Sequence, residues 1–381
     1  MNNIIDIDFS SIKSITDLLE MLHNSDVPSN IYWRYLEAYQ ERKARAKGIP
    51  LYGQFELTPL CNLDCKMCYV HLNSEQMKGI KILPSERWKD IMRQAHDMGM
   101  MHAVLTGGEC LSYPAFDDIY LFLRSLGIKV SIKTNGVLLN KDRIAFFKRY
   151  PPRGITVSLY GSCDEIYNSV TGHAVFNTVY SNLRQIKDSG IPVDIAVTPN
   201  KYMYKDMAKL LETVKQLGLP YSVNIMLFPP RPETGRELCD LSNVEYVEIY
   251  KLLHAKKIGK TGNQSSIEET DIIKKNESNI GLRCGAGRSS FNIDWRGSIS
   301  ACENLESIKI SLLDHSFSHA WKIINSHALA YPLPVECAEC DYTSVCFGCT
   351  AYRNNGAQSG HCNQQICERT KMLVREGIYS L

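Results

Sequence analysis

Three cysteines, Cys61, Cys65 and Cys68, fall within eight residues, directly after the strand-like run 54–58. Three thiolates at this spacing can each hold one iron of a four-iron cluster. The fourth iron then has no protein ligand, and an open position on a metal is where chemistry takes place. A second reading is structural zinc. His71 lies three residues past Cys68 and would complete a tetrahedron of three sulfurs and one nitrogen. Zinc sites of that kind favour two separated ligand pairs, whereas all three thiols here share one loop.

A second group is larger. Cys284, Cys302, Cys337, Cys340, Cys346, Cys349, Cys362 and Cys367 crowd eight of the fourteen cysteines into 84 residues. In a reducing compartment such density points to metal ligation rather than disulfides. The pairs Cys337/Cys340 and Cys346/Cys349 have the two-residue gap that zinc sites and iron–sulfur clusters both use. Between the two groups stand only Cys110, Cys163 and Cys239, expected as small buried hydrophobes.

These groups need a scaffold. From 51 to 227 strand-like runs (53–58, 103–106, 129–133, 155–159, 193–198 and 222–227) alternate with helical patterns (85–98, 116–126, 141–149, 175–188 and 203–217). Gly127, Gly190 and Gly218 stand where helices would stop before the next strand. Six strands alternating with helices predict an α/β fold, a parallel sheet with right-handed crossovers that curls into a partial (β/α)6 TIM-like barrel. Active sites of such barrels lie at the C-terminal ends of the strands, where the Cys61–Cys68 loop falls. Residues 1–50 read as a helical segment, with helices from 14 and over 32–47. Residues 228–283 read as a linker or lid, broken by Pro229, Pro230 and Pro232 and polar over 259–278. Residues 284–381 read as a small domain held together by clusters, since few apolar residues separate its cysteines.

At 381 residues, 44% hydrophobic and 22% charged, the chain has an ordinary globular composition. A formal charge of +2 makes no electrostatic case for nucleic acid. No run approaches the roughly 20 apolar residues of a membrane span, and the first residues lack a secretion signal. A cytoplasmic protein without a membrane partner is the expectation.

The Cys-x-x-x-Cys-x-x-Cys loop after the first strand resembles the signature of radical S-adenosylmethionine (SAM) enzymes. Gly107, Gly108 and Glu109 end the second strand and resemble the family's Gly-Gly-Glu motif, which implies a contact to the SAM amino group. By the same resemblance Asn135 and Ser158, at the ends of strands three and four, contact the SAM ribose and carboxylate. Two departures stand out. Met67 occupies a position where relatives often carry an aromatic residue, and no Lys or Arg occurs between Arg153 and Arg184, where some relatives place an arginine on the SAM carboxylate. The C-terminal cysteines resemble the SPASM domain, an appendage with two auxiliary four-iron clusters. Carried over by position, Cys284, Cys302 and Cys349 hold the first, and Cys337, Cys340, Cys346 and Cys367 the second. Cys362 is extra: it supplies a fourth ligand to the first cluster, or one iron there stays open. Glu303, after Cys302, occupies the place of a base in relatives that oxidise a serine or cysteine.

The resemblance implies reductive cleavage of SAM to a 5′-deoxyadenosyl radical, followed by hydrogen abstraction from a ribosomal peptide that ends crosslinked or oxidised. It also implies a reduced flavodoxin- or ferredoxin-type electron donor and, given the short segment before strand one, a separate peptide-recognition protein. The alternatives are oxidation of Ser or Cys to formylglycine, as in anaerobic sulfatase maturation, and a small-molecule radical SAM dehydrogenase. A non-catalytic electron carrier or zinc module would have no use for Gly107, Gly108 and Glu109.

Overall fold

The computed structural model describes residues 12–25, 28–255, 282, 284–305, 307–332, 334, 336, 339–346, 349–351 and 362–381. Two helices come first, α1 (Ile15–Asn24) and α2 (Tyr32–Lys47). Ser14 and Asp17 close a capping box at the start of α1, and Gly48, at φ 63°, takes the left-handed turn that ends α2. Six parallel strands follow: β1 (Tyr52–Glu56), β2 (His102–Thr106), β3 (Lys129–Thr134), β4 (Gly154–Ser158), β5 (Val193–Val197) and β6 (Tyr221–Val223). They alternate with α3 (Ser85–Asp97), α4 (Phe116–Ser125), α5 (Lys141–Arg149), α6 (Asp164–Thr171), α7 (Phe176–Asp188) and α8 (Met207–Leu217). The α/β class and the six strands match the expectation from the sequence. Helix α6 was not expected: it is only eight residues long and lies between Gly161 and Gly172.

The sheet continues through a stretch that carries no strand signal in the sequence. β7 (Ser290–Ile293) lies parallel beside β1, from Tyr52 opposite Ser290 to Phe55 opposite Ile293. β8 (Ser298–Ser300) and β9 (Ile310–Ser311) extend it antiparallel, giving the order β6-β5-β4-β3-β2-β1-β7-β8-β9. Phe291 and Ile293 join Phe55 and Trp88 in one core, together with Phe317 and Trp321 of α10 (Phe317–Ala330). An ordinary apolar core therefore holds this stretch, contrary to the expectation that clusters alone would. Before it comes α9 (Asn243–Ala255), packed against the last helix, α11 (Gln364–Arg375). The polar run 259–278 lies outside the described residues.

Burial alternates along the strands. Phe55, Leu105, Ile132, Val157 and Ile195 are buried under the helices, while Gln54, Thr106, Ser131, Thr156, Ser158 and Asp194 face the other way and stay half-buried. A parallel sheet normally buries both faces and reads as continuous hydrophobic runs. Here the face away from the helices is polar and half-buried. Its N-terminal rim meets α2, whose Glu37 accepts from Lys129 Nζ at 2.9 Å and from Arg153 Nη2 at 2.5 Å.

Candidate functional site

The loop bearing Cys61, Cys65 and Cys68 leaves the C-terminal end of β1 and is fastened by backbone. Asp64 and Lys66 N–H donate to Thr171 O at 2.8 Å and Val170 O at 2.9 Å, at the end of α6. Arg236 donates from Nη1 to Cys65 O at 2.5 Å and pairs with Asp64. The Cys239 thiol donates to Lys66 O at 3.6 Å. The sulfurs themselves receive donors: Leu63 N–H reaches Cys61 Sγ at 3.4 Å, and His71 N–H reaches Cys68 Sγ at 3.2 Å. Burial pushes the Cys61 thiol up to about 12, and Cys65 well above the usual thiol range. Buried thiols crowded by one another need a cation to ionise, and metal coordination deprotonates them outright. The ring of His71 takes no part. Its Nδ1 faces Pro59 O at 3.3 Å and its Nε2 faces Asp64 Oδ1 at 3.6 Å, which removes the fourth ligand of the zinc alternative.

Gly107 and Gly108 lie flush against this loop. A Cβ on Gly107, at φ 141°, would come within 2.5 Å of Thr58 O, and one on Gly108 within 2.2 Å of Leu60 O. Only glycine allows that approach, which is secured by Gly108 N–H to Thr58 O at 2.6 Å and Glu109 N–H to Leu60 O at 2.9 Å. Glu109 is fully buried. Its Oε1 accepts from Leu111 N–H at 3.0 Å and Thr134 Oγ1 at 2.8 Å, its Oε2 from Asn135 N–H at 2.8 Å. Burial raises this carboxyl, and those hydrogen bonds pull it back. A carboxylate has about four acceptor positions, so Oε2 retains capacity for one more donor. The Asn135 amide donates to Asn62 Oδ1 at 2.7 Å and to Cys61 Sγ at 3.6 Å. Tyr160 stands against both Cys65 and Ser158. The ends of β1, β2, β3 and β4 therefore converge on one loop.

Beside the loop lies a buried ion pair that sequence reasoning missed. Arg231 grips Glu56 with two bonds of 2.8 Å, and neither residue is more than 5% exposed. Asn292 of β7 adds a donor to Glu56 Oε1 at 3.3 Å. The guanidinium also sits 5.4 Å from the centre of the Tyr69 ring and 3.5 Å from Glu303 O. Tyr69 is pushed well up by burial first, then by the charges of Glu303 and Glu56. Glu303 thus stands within electrostatic reach of the residue next to Cys68.

Comparison with known proteins agrees with this geometry. Residues 55–214 match the model of the radical SAM superfamily. The chain carries a radical SAM domain. The subtilosin biosynthesis protein AlbA of Bacillus subtilis is 30% identical over 207 residues, 53% of this chain and 45% of AlbA. The chain thus spans about half of AlbA's length. The AdoMet-dependent heme synthase of Methanosarcina barkeri is 23% identical over 319 residues, 78% of this chain and 90% of that protein. Streptococcus suis SuiB bound to S-adenosylmethionine shares the fold, with a TM-score of 0.66 at 16% identity over 92% of this chain and 86% of SuiB. No helix among the described residues is long and apolar enough to cross a membrane.

Cys302 is pushed well above the usual thiol range by burial and then by the charges of Glu303, Cys284 and Cys349. Cys346 and Cys349 pack with Met226 and Ile366. Cys340 opens a turn in which its carbonyl accepts from Thr343, and Cys346 N–H donates to Tyr342 O at 2.7 Å. Cys362 and Cys367 flank the start of α11 with their sulfurs 3.4 Å apart. Cys337 lies outside the described residues. Of the three leftover cysteines, Cys110 and Cys239 are buried, and Cys163, at the N-cap of α6, is half-buried.

Glu56, Tyr69, Arg231 and Arg236 had one available signal. Gln54 and Glu56 alternate with apolar residues in a strand of a parallel sheet, and a buried carboxylate there demands a cation. Nothing local says that the cation is Arg231.

Proposed function

We propose that this protein is a radical SAM enzyme that modifies a ribosomally made peptide. Cys61, Cys65 and Cys68 would hold a four-iron cluster. Together with SAM that cluster would supply the radical chemistry by which a hydrogen atom is removed from the peptide. The chain's own residues bind and seal. Glu109 Oε2 meets the SAM amino group, Asn135 and Ser158 orient the remainder, and Gly107 and Gly108 keep the strand end close enough for that contact. The polar face of the sheet away from the helices receives the peptide. Cys284, Cys302 and Cys349 hold a first auxiliary cluster, and Cys337, Cys340, Cys346 and Cys367 a second. The 3.4 Å contact between Cys362 and Cys367 supports a role for Cys362 in the second group rather than the first. Glu303 accepts the proton the substrate loses. A reduced flavodoxin or ferredoxin delivers the electron, and a separate protein presents the peptide.

The convergence of four strand ends on one three-cysteine loop carries this reading, with the Asn135 amide 3.6 Å from Cys61 Sγ. Anaerobically reconstituted protein is expected to hold about twelve irons and, with dithionite and SAM, to release 5′-deoxyadenosine. Cys61→Ala should abolish that release. Stoichiometric zinc without iron would sink the proposal.

The proximity of Glu303 to Tyr69 and Cys302 favours a second reading, oxidation of a serine or cysteine side chain to formylglycine. A hydrazide probe that captures an aldehyde in the product peptide would select it, while loss of free thiol without an aldehyde selects a crosslink.

A further inference from the structure

The outer side of the three-cysteine loop carries a patch that the chemistry above does not use. Of residues 61–70 only Asp64 and Lys66 are exposed. Arg236 takes up the charge of Asp64, so the loop turns a positive charge outward at Lys66. Lys66 Nζ lies 4.3 Å from the centre of the Tyr202 ring, and Lys201 Nζ lies 5.2 Å from the same centre. Both lysines are exposed, and Tyr202 is half-buried. The two charges therefore stand within about one Debye length of each other at 0.1 M salt and repel. The negative face of the phenol ring offsets part of that repulsion.

Backbone holds the patch in place. The Cys239 thiol donates to Lys66 O at 3.6 Å, and Lys201 N–H donates to Cys239 O at 3.1 Å. Lys66 N–H is itself bound to Val170 O at 2.9 Å. Next to Cys239 in the chain, Leu238 leaves 43% of its apolar surface exposed. The carboxylates of these segments are Glu237, which is exposed, Asp240, paired with Arg369, and Asp206, buried and bonded to Ser162. Glu237 alone among them opposes the lysines at the surface. An apolar and aromatic centre with charge at its edge is the anatomy of a protein–protein contact, and electron-transfer encounters use small ones.

The function proposed above consumes an electron at this loop, and tunnelling weakens steeply with distance. A carrier must therefore approach where the loop itself reaches the surface, and Lys66 is bonded in the chain to Cys65. We propose that Lys66, Lys201, Tyr202 and Leu238 form the docking surface for a small acidic one-electron carrier protein. One electron passes from the carrier to the cluster. The carrier is oxidised, the cluster is reduced, and no covalent bond forms. The inference rests on the reading of Cys61, Cys65 and Cys68 as cluster ligands.

Two reductants separate docking from chemistry. Dithionite is small and needs no docking surface, whereas reduced FMN-loaded flavodoxin needs one. With anaerobically reconstituted protein and SAM, the double variant Lys66→Gln/Lys201→Glu should slow flavodoxin-driven release of 5′-deoxyadenosine about tenfold at low salt, the lower end of electrostatic steering. Dithionite-driven release and iron content should equal wild type. Glu237→Lys should move the flavodoxin rate the opposite way, a gain that misfolding cannot produce. Surface plasmon resonance on immobilised flavodoxin should rank the association rates in the same order, with the differences shrinking as salt rises. Variants that match wild type with flavodoxin, or that lose both reductants equally, overturn the docking surface. So does a wild type driven by dithionite but by neither flavodoxin nor a ferredoxin. A synthetic glutamate-rich decapeptide that binds wild type and not the double variant, with flavodoxin-driven release unchanged, assigns the patch to an acidic peptide and overturns the carrier. A wild type that releases no 5′-deoxyadenosine even with dithionite overturns the underlying reading, and this proposal with it.

Discussion

The chain has two cysteine regions built on opposite principles. Cys61, Cys65 and Cys68 sit on a loop that the protein already holds: α6 pairs with its backbone, Arg236 clamps Cys65 O, and Gly107 and Gly108 press against its base. Cys340, Cys346, Cys362 and Cys367 sit in turns and at a helix start, where the sulfur-bearing segments mostly hydrogen-bond to themselves. Cys284 and Cys302 fall between, flanking the β7–β8 hairpin that is fused to the main sheet. A site prepared by packing keeps its shape without its metal, whereas a site made of turns borrows its order from the metal it binds.

Removing iron with a chelator should therefore have the largest effect, and an unequal one. Limited proteolysis is expected to cut the chain beyond residue 331 while the fragment through α10 persists and far-UV circular dichroism is largely kept. Equal loss of both regions would break the contrast.

Next comes the ion pair beside the loop. Arg231→Met leaves the carboxylate of Glu56 buried without its cation, and such losses amount to about 3–5 kcal/mol. Urea unfolding should show this as a lower midpoint, with partial recovery in the double variant Glu56→Leu/Arg231→Met. If Arg231→Met is neutral, the first region is less preorganised than its contacts imply.

Smaller and more local is Gly108→Ala. The added Cβ meets Leu60 O at 2.2 Å, so the loop must shift. The expected result is reduced iron bound at the first site, measured against an unchanged complement in the C-terminal region. Iron lost equally from both would show that the loop and the distal cysteines are not independent.

The smallest effect concerns the N-terminal rim. His102 stacks on Tyr52 at 4.5 Å between ring centres, and burial followed by the charge of Arg153 pushes it down to about 4. Between that value and the ordinary 6.5, the unfolded chain binds a proton that the folded chain refuses. Stability from His102 is thus complete above about pH 6.5 and declines as pH falls toward 4. His102→Phe should flatten that part of the stability curve without touching iron content.

Much of the scaffold was legible because its signals are local. Gly127, Gly190 and Gly218 do stand at positive φ where helices stop, and all six strands appear within a few residues of their expected limits. Helix starts shifted only slightly, as at α8, where a 3-10 turn over Tyr204–Asp206 precedes Met207. The fate of 290–311 was not legible. Its strands are two to four residues long and lie between cysteines, so composition there reads as metal-site sequence. The first of them, β7, pairs with β1, and Gln54 meets Asn292 across 238 residues of chain.

The sequence alone determined the ligand loop, the strand–helix alternation and hence the place of the loop at the strand ends, since spacing and periodicity are properties of neighbouring residues. Tertiary structure decided what those ends face. It put the Glu56 carboxylate against an arginine 175 residues away and turned the ring nitrogens of His71 from a possible metal toward oxygens. It also lined up Lys133, Thr156 and Asp194 from three strands on one face of the sheet. Charges and ligands act through distance in space, and only the closed fold sets that distance.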